Sequence, residues 1–524
     1  MSVLIPNHYS ATAALIYVSF VCLASIVHLY RKFSAGLSRV PPAHWTCAFS
    51  PLWILWHRYH GTELKAVLAA HQKLGKIVRV GPREISISDF ETGVAQVYNA
   101  GFEKPHYFDF FQYYGQLNSF ASKTRADHAA CRKRISPSYS KSTLFNSKSL
   151  PKIIHKIVYQ RLVPVLQDHV KAGEPVQLLP LFYAASLDVL NCYILGIASG
   201  PNFTQDPDLT ETWLRHYENR YAPQSFWLQE VPWLAQGLGR LGWDVMPRVH
   251  YTSTKWVEDW MLEHCDRAET VYQEMLRGED VALEDVPVVY HQIRKSMSKL
   301  ESENANFLAG AREVFGMVLS YAIYYIAQHP KQQARLQREV SRLGLHLSQQ
   351  HGADDFPAAA TPQAIESLSY LQAVINESLR MRPNSTPLPR ITPKGKPVSI
   401  SGVDDIPPGT RVNCFQWFLH RDPTLWPEPD KWMPERWLDE KTGLLKQAGE
   451  LPPLWAFVTG PRSCVGAQLT YYSFGYMLAS LFANFGVEVA RPETYLRHSP
   501  GSLEDELHVT LQPVGGSDEK EVCY

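Results

Sequence analysis

The sequence predicts a mostly α-helical protein with small β-sheets, preceded by one N-terminal transmembrane helix. Three observations support this fold class: a long stripe of apolar residues at helical spacing, strand-like alternation that is confined to short runs, and an apolar segment near the N terminus. The chain has 524 residues, of which 45% are apolar and 19% are charged. It can therefore bury a large core and is neither disordered nor fibrous.

Charge and cysteine content exclude several classes of function. The chain has 51 Lys and Arg residues and 51 Asp and Glu residues, so its formal net charge is zero. This balance removes the electrostatic argument for nucleic acid as a partner. The eight cysteines lie far apart without a C-x-x-C pair, so neither a disulfide framework nor a zinc site is favoured. A reducing compartment is the better interpretation.

The first element is an apolar segment at about residues 11–30, which has the length that a helix needs to cross a bilayer. No Lys or Arg precedes it, whereas Arg31, Lys32 and Arg39 follow it closely. The positive-inside rule therefore leaves a short N terminus outside and the body of the protein in the cytosol. A cleaved signal peptide is less favoured, because neither a basic n-region nor a small-residue cleavage site is evident.

These features predict three parts of the chain. Residues 1–38 form a signal anchor that contains the transmembrane helix, residues 39–513 form a single globular body, and residues 514–524 form a polar tail. No repeat or long low-complexity tract interrupts the body.

The strands of the body are short. One strand-like run covers residues 76–88 and contains a turn signal at Gly81-Pro82. A second run covers residues 398–401 and precedes a turn signal at residues 407–409. Runs of this length predict small sheets.

Helical periodicity dominates the rest of the body. An apolar stripe of about five turns covers residues 307–326 and stops at residues 328–330, Gln-His-Pro. Residues 361–362, Thr-Pro, are typical of an N-cap and first-turn proline, and the helical region that they begin ends at residues 382–383, Arg-Pro. The last strong helix follows Gly466, where apolar side chains recur at spacings of three and four.

One cysteine, Cys464, lies in a Gly-rich turn that opens directly into this last helix. Backbone N–H groups and the helix N terminus favour a thiolate there, so we expect a lowered thiol pKa and a soft anionic ligand for a metal. Gly466 lets a flat group approach the helix, and Arg462 offers a fork for a carboxylate. Phe457 can shield the sulfur from water. A lone cysteine near a turn is more often structural, but five positions at fixed spacing outweigh that alternative.

This segment resembles the cysteine loop of the cytochrome P-450 family, F-x-x-G-x-R-x-C-x-G, at Phe457, Gly460, Arg462, Cys464 and Gly466. The resemblance implies the fold of that family and haem b as the cofactor. It implies Cys464 as the axial ligand of the haem iron, a role in which the thiolate favours O–O cleavage. It also implies that Phe457, Arg462 and Gly466 bind the cofactor.

Two further motifs occur in the order that the family shows. Glu377 and Arg380 stand at i and i+3 on one helix face, where an ion pair is possible. Arg436 belongs to a P-E-R-W element. An isolated E-x-x-R pair is a weak signal, because such pairs usually contribute little to stability. The resemblance implies that the three residues form a buried triad that supports the haem loop.

Three residues are implied as ligands of the haem propionates. His128 and Arg132 stand at i and i+4 on one predicted helix, so they can reach the same group. Arg390 matches the position of another propionate ligand. Read alone, His128 is more often a surface or capping residue. Lys133 and Arg134 extend a small basic patch that by default is a solvated face, and in this family that surface receives the reductase.

The central helix departs from the family's pattern, A/G-G-x-D/E-T-T/S, in which an acid and an alcohol manage protons for dioxygen. Counting back from the helix end without a gap aligns the pattern with residues 310–315, so Glu313 keeps the acid and Val314 replaces the alcohol. A shifted register would place Arg312 at the acid and Glu313 at the alcohol, but it needs a gap. We therefore assign Glu313 and Val314 to the proton-relay positions.

The implied substrate pocket is apolar. Its candidate residues are Phe307, Ala311, Phe315 and Leu388. Residues 108–119 are also implied, whereas the aromatic residues of segment 213–243 are better interpreted as core or membrane-contacting side chains. The apolar residues predict a hydrophobic substrate of the size of a terpenoid, a polyketide or an alkaloid.

The resemblance covers nearly the whole chain after the anchor and is to filamentous-fungal microsomal members that oxidise secondary metabolites. It implies a monooxygenase that receives electrons from NADPH through NADPH-cytochrome P-450 reductase, with cytochrome b5 as an accessory donor. The protein would be a single-pass protein of the endoplasmic reticulum membrane, with its catalytic domain in the cytosol.

Two other functions stay open. A reductant-independent isomerase or dehydratase of the same fold is compatible with Val314, because such a reaction needs no external proton relay. A non-catalytic haem-binding membrane protein would fit the cysteine loop but would leave the pocket and the basic patch without a role. Product formation with and without NADPH and reductase separates the first of these from a monooxygenase.

Overall fold

The computed structural model describes residues 17–21, 25, 36–115, 117–221, 225–295, 315–349, 359–383, 386–491 and 505–515. Within these residues the chain is mostly helical with small sheets, as the sequence predicts. It divides into two compact units, residues 1–105 with 387–415 and residues 106–386 with 416–524. The predicted division into anchor, catalytic body and tail stays a prediction.

The described helices and strands are numbered here in chain order. The α-helices are α1 Leu52–Tyr59, α2 Glu63–Leu74, α3 Arg125–Ile135, α4 Lys141–Phe145, α5 Ser149–Lys156, α6 Val163–Ala172, α7 Leu178–Leu195, α8 Pro207–Tyr221, α9 Ser225–Gln229, α10 Pro232–Arg240, α11 Arg248–Leu276, α12 Val288–Arg294, α13 Met317–Ala327, α14 Pro330–Val340, α15 Pro362–Ser367, α16 Ser369–Met381, α17 Gln416–His420 and α18 Ala467–Asn484. The strands are β1 Ile77–Gly81, β2 Glu84–Ile87, β3 Val176–Gln177, β4 Arg390–Ile391, β5 Val398–Ile400, β6 Val403–Ile406, β7 Arg411–Cys414, β8 Phe485–Val489 and β9 His508–Pro513.

The first unit contains a four-stranded sheet in the order β1-β2-β7-β4. Strands β1 and β2 are antiparallel, with Gly81 opposite Glu84, so the turn lies where Gly81-Pro82 predicts it. Strand β2 pairs with β7 in parallel, and β4 pairs with β7 in antiparallel orientation. Strands β5 and β6 form a separate hairpin. The two short strand-like runs are therefore confirmed as strands of small sheets.

The second unit is built around buried helices. Nearly all residues of α7 and every residue of α13 are buried. A Cβ atom at Gly316, just before α13, would lie 2.7 Å from the Tyr183 ring and 2.9 Å from the carbonyl oxygen of Phe182, both in α7. Only glycine therefore allows α13 to begin so close to α7.

Helix α18, which follows the cysteine loop, packs against α15 and α16, the helices that follow Thr361. The Thr361 hydroxyl accepts the backbone N–H of Ala364 at 3.2 Å and caps α15, as the sequence predicts. Helix α16 follows and ends at Met381, and α18 contacts both α15 and α16. Helix α18 is buried from Tyr472 to its end, and this buried part fixes the position of its first turn beside the cysteine loop.

The predicted membrane helix, about residues 11–30, lies mostly outside the described residues, although residues 17–21 and 25 are helical and exposed. Helix α7 is long and apolar enough to cross a membrane, but it is largely buried and is a core helix. The apolar stripe at residues 307–326 is described from residue 315 onward, where it is helical and buried.

Candidate functional site

The cysteine loop presents Cys464 at the N terminus of α18. The backbone N–H of Cys464 donates to the carbonyl oxygen of Phe457 at 2.9 Å and closes the loop. The Cys464 side chain is exposed. A Cβ atom added at Gly466 would meet, within 4 Å among the described residues, the Cys464 sulfur alone, at 3.9 Å. The sulfur therefore stands beside a glycine that leaves room for a flat group.

Opposing influences act on the thiol of Cys464. The protein around the sulfur desolvates it, and this largest influence raises its pKa above the ordinary value even though one side of the residue is exposed. The backbone amide of Gly466, the guanidinium of Arg132 and the amide of Ala467 lower the pKa. The expectation of a lowered thiol pKa is therefore wrong in its net direction, because it considered the helix terminus without the desolvation. Metal binding at this thiol must release a proton and weakens as pH falls.

Helix α3 brings Arg132 to the cysteine loop. Its Nη1 donates to the carbonyl oxygen of Ser463 at 2.6 Å. Burial lowers the pKa of Arg132, while Cys464 acts in the opposite direction. His128 lies one turn earlier on α3 and is 7% exposed. Arg132 thus adjoins the predicted iron ligand, and the roles of both residues toward propionates stay predictions.

The guanidinium of Arg462 binds the backbone just before α3. Its Nη1 donates to the carbonyl oxygen of Ser122 at 2.9 Å, and its Nη2 donates to that of Lys123 at 2.8 Å. Arg462 is 8% exposed. It therefore connects the cysteine loop to the start of α3, an arrangement that no residue type in the motif indicates. Its predicted contact with a haem carboxylate stays a prediction.

The structure brings Glu377, Arg380 and Arg436 together. Arg380 donates from Nε and Nη2 to the two oxygens of Glu377 at 2.9 and 2.8 Å, and Arg436 donates from Nε at 3.0 Å. Glu377 also accepts the indole N–H of Trp437 and the backbone N–H of Met433, each at 2.9 Å. Glu377 and Arg380 have no exposed side-chain surface. Sequence reasoning missed the two additional donors, although Trp437 belongs to the same P-E-R-W element.

Val458, next to Phe457, has a left-handed backbone conformation with φ of 60°. For a β-branched residue this conformation is an outlier that costs about 1–2 kcal/mol. Hydrogen bonds on both sides hold it, since the N–H of Val458 donates to Trp455 at 3.2 Å and the carbonyl of Phe457 accepts from Cys464. Backbone strain of this kind persists where the surroundings impose it, and it occurs often at functional sites.

Val458→Gly should be more stable than Val458→Ala by about 1 kcal/mol, because glycine adopts positive φ without a steric penalty and alanine does not. The measurement is denaturant unfolding of the two haem-loaded variants, followed by circular dichroism. An alanine variant as stable as the glycine variant would show that the loop carries no strain at this residue.

The remaining predicted site residues lie outside the described residues or have other contacts within their own unit. Those that lie outside the described residues are Phe307, Ala311, Glu313 and Val314. Phe315 is buried, with its ring 6.1 Å from that of Phe474 in the core. In the first unit, the Arg390 guanidinium lies 4.8 Å from the Tyr98 ring centroid, and the carbonyl of Leu388 accepts the Tyr98 hydroxyl at 2.6 Å. The roles predicted for these residues stay predictions.

A cleft of about 890 Å³ lies elsewhere in the second unit, among α6, β3, α7 and α8. No residue of the cysteine loop lines it. Its size suits a small molecule, but it is not the pocket that the sequence predicts beside Cys464.

The donor set at the cysteine loop fits haem. Haem is flat, its iron binds thiolates and its propionates are anionic. The exposed Cys464 suits the iron, the open space at Gly466 suits the flat ring, and the guanidinium of Arg132 suits a propionate. Cys464 would hold the iron, and His128 and Arg132 would hold the propionates. With this ligand, haem supplies oxygen activation assisted by electron density from the thiolate.

Comparisons with known proteins agree with this interpretation. The family model described as cytochrome P-450 matches residues 44–508. The chain is 25% identical over 519 residues to cytochrome P-450 monooxygenase hepC of Aspergillus oryzae, covering 93% of this chain and 94% of that protein. It is 24% identical over 511 residues to the monooxygenase aneF of Aspergillus aculeatus, covering 92% and 96%. It is 26% identical over 480 residues to the monooxygenase mfmF of Annulohypoxylon moriforme, covering 87% and 90%.

Proposed function

Because the chain belongs to the cytochrome P-450 family, we propose that it inserts one oxygen atom from O2 into a hydrophobic small molecule of fungal secondary metabolism. The chain is an oxidoreductase whose relatives are named monooxygenases, and its family implies haem. The observation that carries the proposal is the exposed Cys464 sulfur at the N terminus of α18. The substrate class that we propose is a terpenoid, polyketide or alkaloid intermediate.

We propose NADPH-cytochrome P-450 reductase as the electron donor, with cytochrome b5 as an accessory donor. Lys133 and Arg134 on α3 are exposed, one and two residues after the arginine that touches the cysteine loop. A basic surface so close to the proposed iron ligand suits an acidic electron-transfer partner.

The test is product formation by the full-length protein with a candidate substrate, in the presence and absence of NADPH and reductase. A monooxygenase forms oxygenated product only when both are present. Rearranged or dehydrated product without NADPH would instead support the alternative function, a reductant-independent isomerase or dehydratase. An absence of turnover across broad substrate panels would support a haem binder.

The assignment of Val314 to the proton-relay position predicts that the amount of product formed per NADPH consumed depends on the substrate. Valine is similar in size to threonine but cannot donate a proton, so an ordered water or a polar group of the substrate must supply the donor. For the parent we therefore expect several-fold less product per NADPH with an analogue that lacks the nearest substrate hydroxyl. Val314→Thr should restore part of that loss.

The measurement is the ratio of product formed to NADPH consumed, for parent and Val314→Thr, with the native substrate and with the analogue. Equal ratios in all four combinations would contradict the assignment of Val314 to the relay.

We propose that residues 11–30 anchor the protein in the endoplasmic reticulum membrane, with the body in the cytosol. Large apolar side chains support membrane contact at two further segments. In segment 45–56, Trp45 and Trp56 are 71% and 64% exposed, and in segment 233–243, Trp233 and Trp243 are 71% and 70% exposed. Tryptophan is enriched at membrane interfaces, where its ring is apolar and its N–H meets water.

Carbonate extraction should leave the full-length protein in the membrane fraction, because a spanning helix resists release at high pH. Removal of residues 1–38 should shift the protein partly, not completely, to the soluble fraction, since the exposed tryptophans still contact lipid. Release of the intact protein by carbonate would rule out a spanning helix.

A further inference from the structure

Arg220, in the last turn of α8, is a buried cation. Its side chain is 3% exposed. Its Nη2 donates to the carbonyl oxygens of Phe110 and Gln112 at 3.1 and 2.9 Å. The N–H group of Nε and both N–H groups of Nη1 have no acceptor among the residues that the structure describes. A guanidinium carries one positive charge and five N–H donors, so these three N–H groups need acceptors.

The charge of Arg220 also has no direct counter-ion among the described residues. Within the described ranges, no carboxylate lies within 4.0 Å of it. The carboxylate of Glu258 on α11 accepts the backbone N–H of Tyr114 at 2.7 Å, so it serves the neighbouring loop. The imidazole of His250, whose Nδ1 donates to the carbonyl of Arg220 at 3.1 Å, supplies no negative charge, and burial and the charge of Arg220 lower its pKa. In the part of the chain that the structure describes, the positive charge of Arg220 therefore has no ion-pair partner.

The surroundings of Arg220 are aromatic. Its guanidinium carbon lies 3.9 Å from the ring centroid of Tyr113 and 5.3 Å from that of Phe110. Phe110 belongs to a buried cluster that comprises Tyr107, Phe108, Phe110, Phe111 and Ala121. Aromatic faces stabilise a cation, but for the N–H groups of Nε and Nη1 they are much weaker acceptors than an oxygen atom. The remaining donors therefore need an oxygen acceptor, while the adjacent buried cluster favours contact with an apolar group.

We infer that Arg220 binds the carboxylate of an apolar acid, and that this acid is the class of substrate that the enzyme accepts. A carboxylate neutralises the buried charge and accepts the unpartnered N–H groups, and such charge-assisted hydrogen bonds are stronger than neutral ones. The apolar body of the acid would pack on the aromatic cluster. The assignment of this acid as substrate rests on the proposed function, whereas its binding at Arg220 does not.

The experiment compares two probes that share one apolar body, adamantane-1-carboxylate and adamantane-1-methanol. Their dissociation constants are measured by calorimetry on the full-length, haem-loaded protein in lipid nanodiscs. We expect the acid to bind the parent at least about tenfold more tightly than the alcohol, the usual effect of a hydrogen bond to a charged group. Arg220→Gln should reduce this preference to within about twofold, with little change for the alcohol.

Arg215→Gln is the matched control, because Arg215 is an exposed arginine of the same helix. It should keep the preference of the parent. Arg220→Lys retains the charge but has fewer donors, so it should keep part of the preference. If neither Arg220 variant folds, the inference is tested by the parent alone, as the ratio of the dissociation constants for the acid and the alcohol.

Equal binding of acid and alcohol by the parent would overturn the inference, as would a preference that survives in Arg220→Gln, because either result leaves water as the partner of Arg220. Competition with inorganic phosphate distinguishes the source of the anion. Displacement of the acid by phosphate at equal concentration would mean that a free anion occupies the site, which overturns the assignment of a substrate. Tight acid binding without NADPH-dependent turnover would contradict the proposed function but would support a carboxylate site at Arg220.

Discussion

Cys464→Ser should abolish the strongly red-shifted, thiolate-type Soret band of the ferrous carbonyl complex. The hydroxyl of serine has a pKa far above that of a thiol, so it cannot replace the anionic sulfur as an iron ligand. The loss should be complete, because the described part of the loop places no second cysteine beside Gly466 and the first turn of α18. The measurement is the absorbance spectrum of the reduced, carbon monoxide-treated protein after expression with haem supply.

Cys131→Ser is the matched control for this variant. Cys131 is a half-buried free cysteine on α3, one residue before the arginine that contacts the cysteine loop. Its replacement should leave the thiolate-type band unchanged. If Cys464→Ser kept the band of the parent, another cysteine would ligate the iron and the proposed site would be wrong.

Glu377→Gln should reduce the free energy of unfolding by about 3–5 kcal/mol. The carboxylate is the shared partner of Arg380 and Arg436 and has no exposed surface. An amide of the same shape leaves two guanidinium groups without a counter-ion, and its NH2 group faces N–H donors where an oxygen now accepts them. Because Arg436 and Trp437 join this network from the segment after α17, we also expect a lower yield of haem-loaded protein.

The measurement is denaturant unfolding followed by circular dichroism, with the haem content of each preparation. Glu366→Gln is the matched control, since Glu366 pairs with Lys141 at 2.6 Å while both side chains are about half exposed. Such a surface pair contributes about 0–1 kcal/mol, so its loss should have little effect. A Glu377→Gln variant no less stable than Glu366→Gln would show that the triad does not stabilise the fold.

Local patterns in the sequence were sufficient for the elements that carry the site. The Thr361-Pro362 pair predicts the cap of α15, and the Gly81-Pro82 pair predicts the turn between β1 and β2. The spacing of apolar residues after Gly466 predicts α18. These predictions succeed because caps, turns and helical spacing depend on residues a few positions apart. The same is true of Glu377 and Arg380, which share one helix face before any tertiary contact forms.

Electrostatic environments were less accessible from the sequence. The helix N terminus at Cys464 acts in the predicted direction, but desolvation by the folded chain reverses the net shift of the thiol pKa. The i, i+3 spacing of Glu377 and Arg380 does not by itself indicate the complete burial that separates them from an ordinary surface pair, and only the family resemblance implies it. Desolvation depends on everything that packs around a group, and a motif does not contain that information.

The partners of the site's arginines depend wholly on tertiary structure. Arg132 meets the carbonyl of Ser463, 331 residues away, and Arg462 meets that of Ser122, 340 residues away. A backbone carbonyl is present at every residue, so no side-chain pattern marks which one will accept. The same applies to Arg220, an ordinary helical arginine in the sequence whose unpartnered donors arise only when α8 buries it against Phe110 and Tyr113. Residue types and short spacings thus establish the family and its elements, whereas burial and long-range packing assign each charged group its partner.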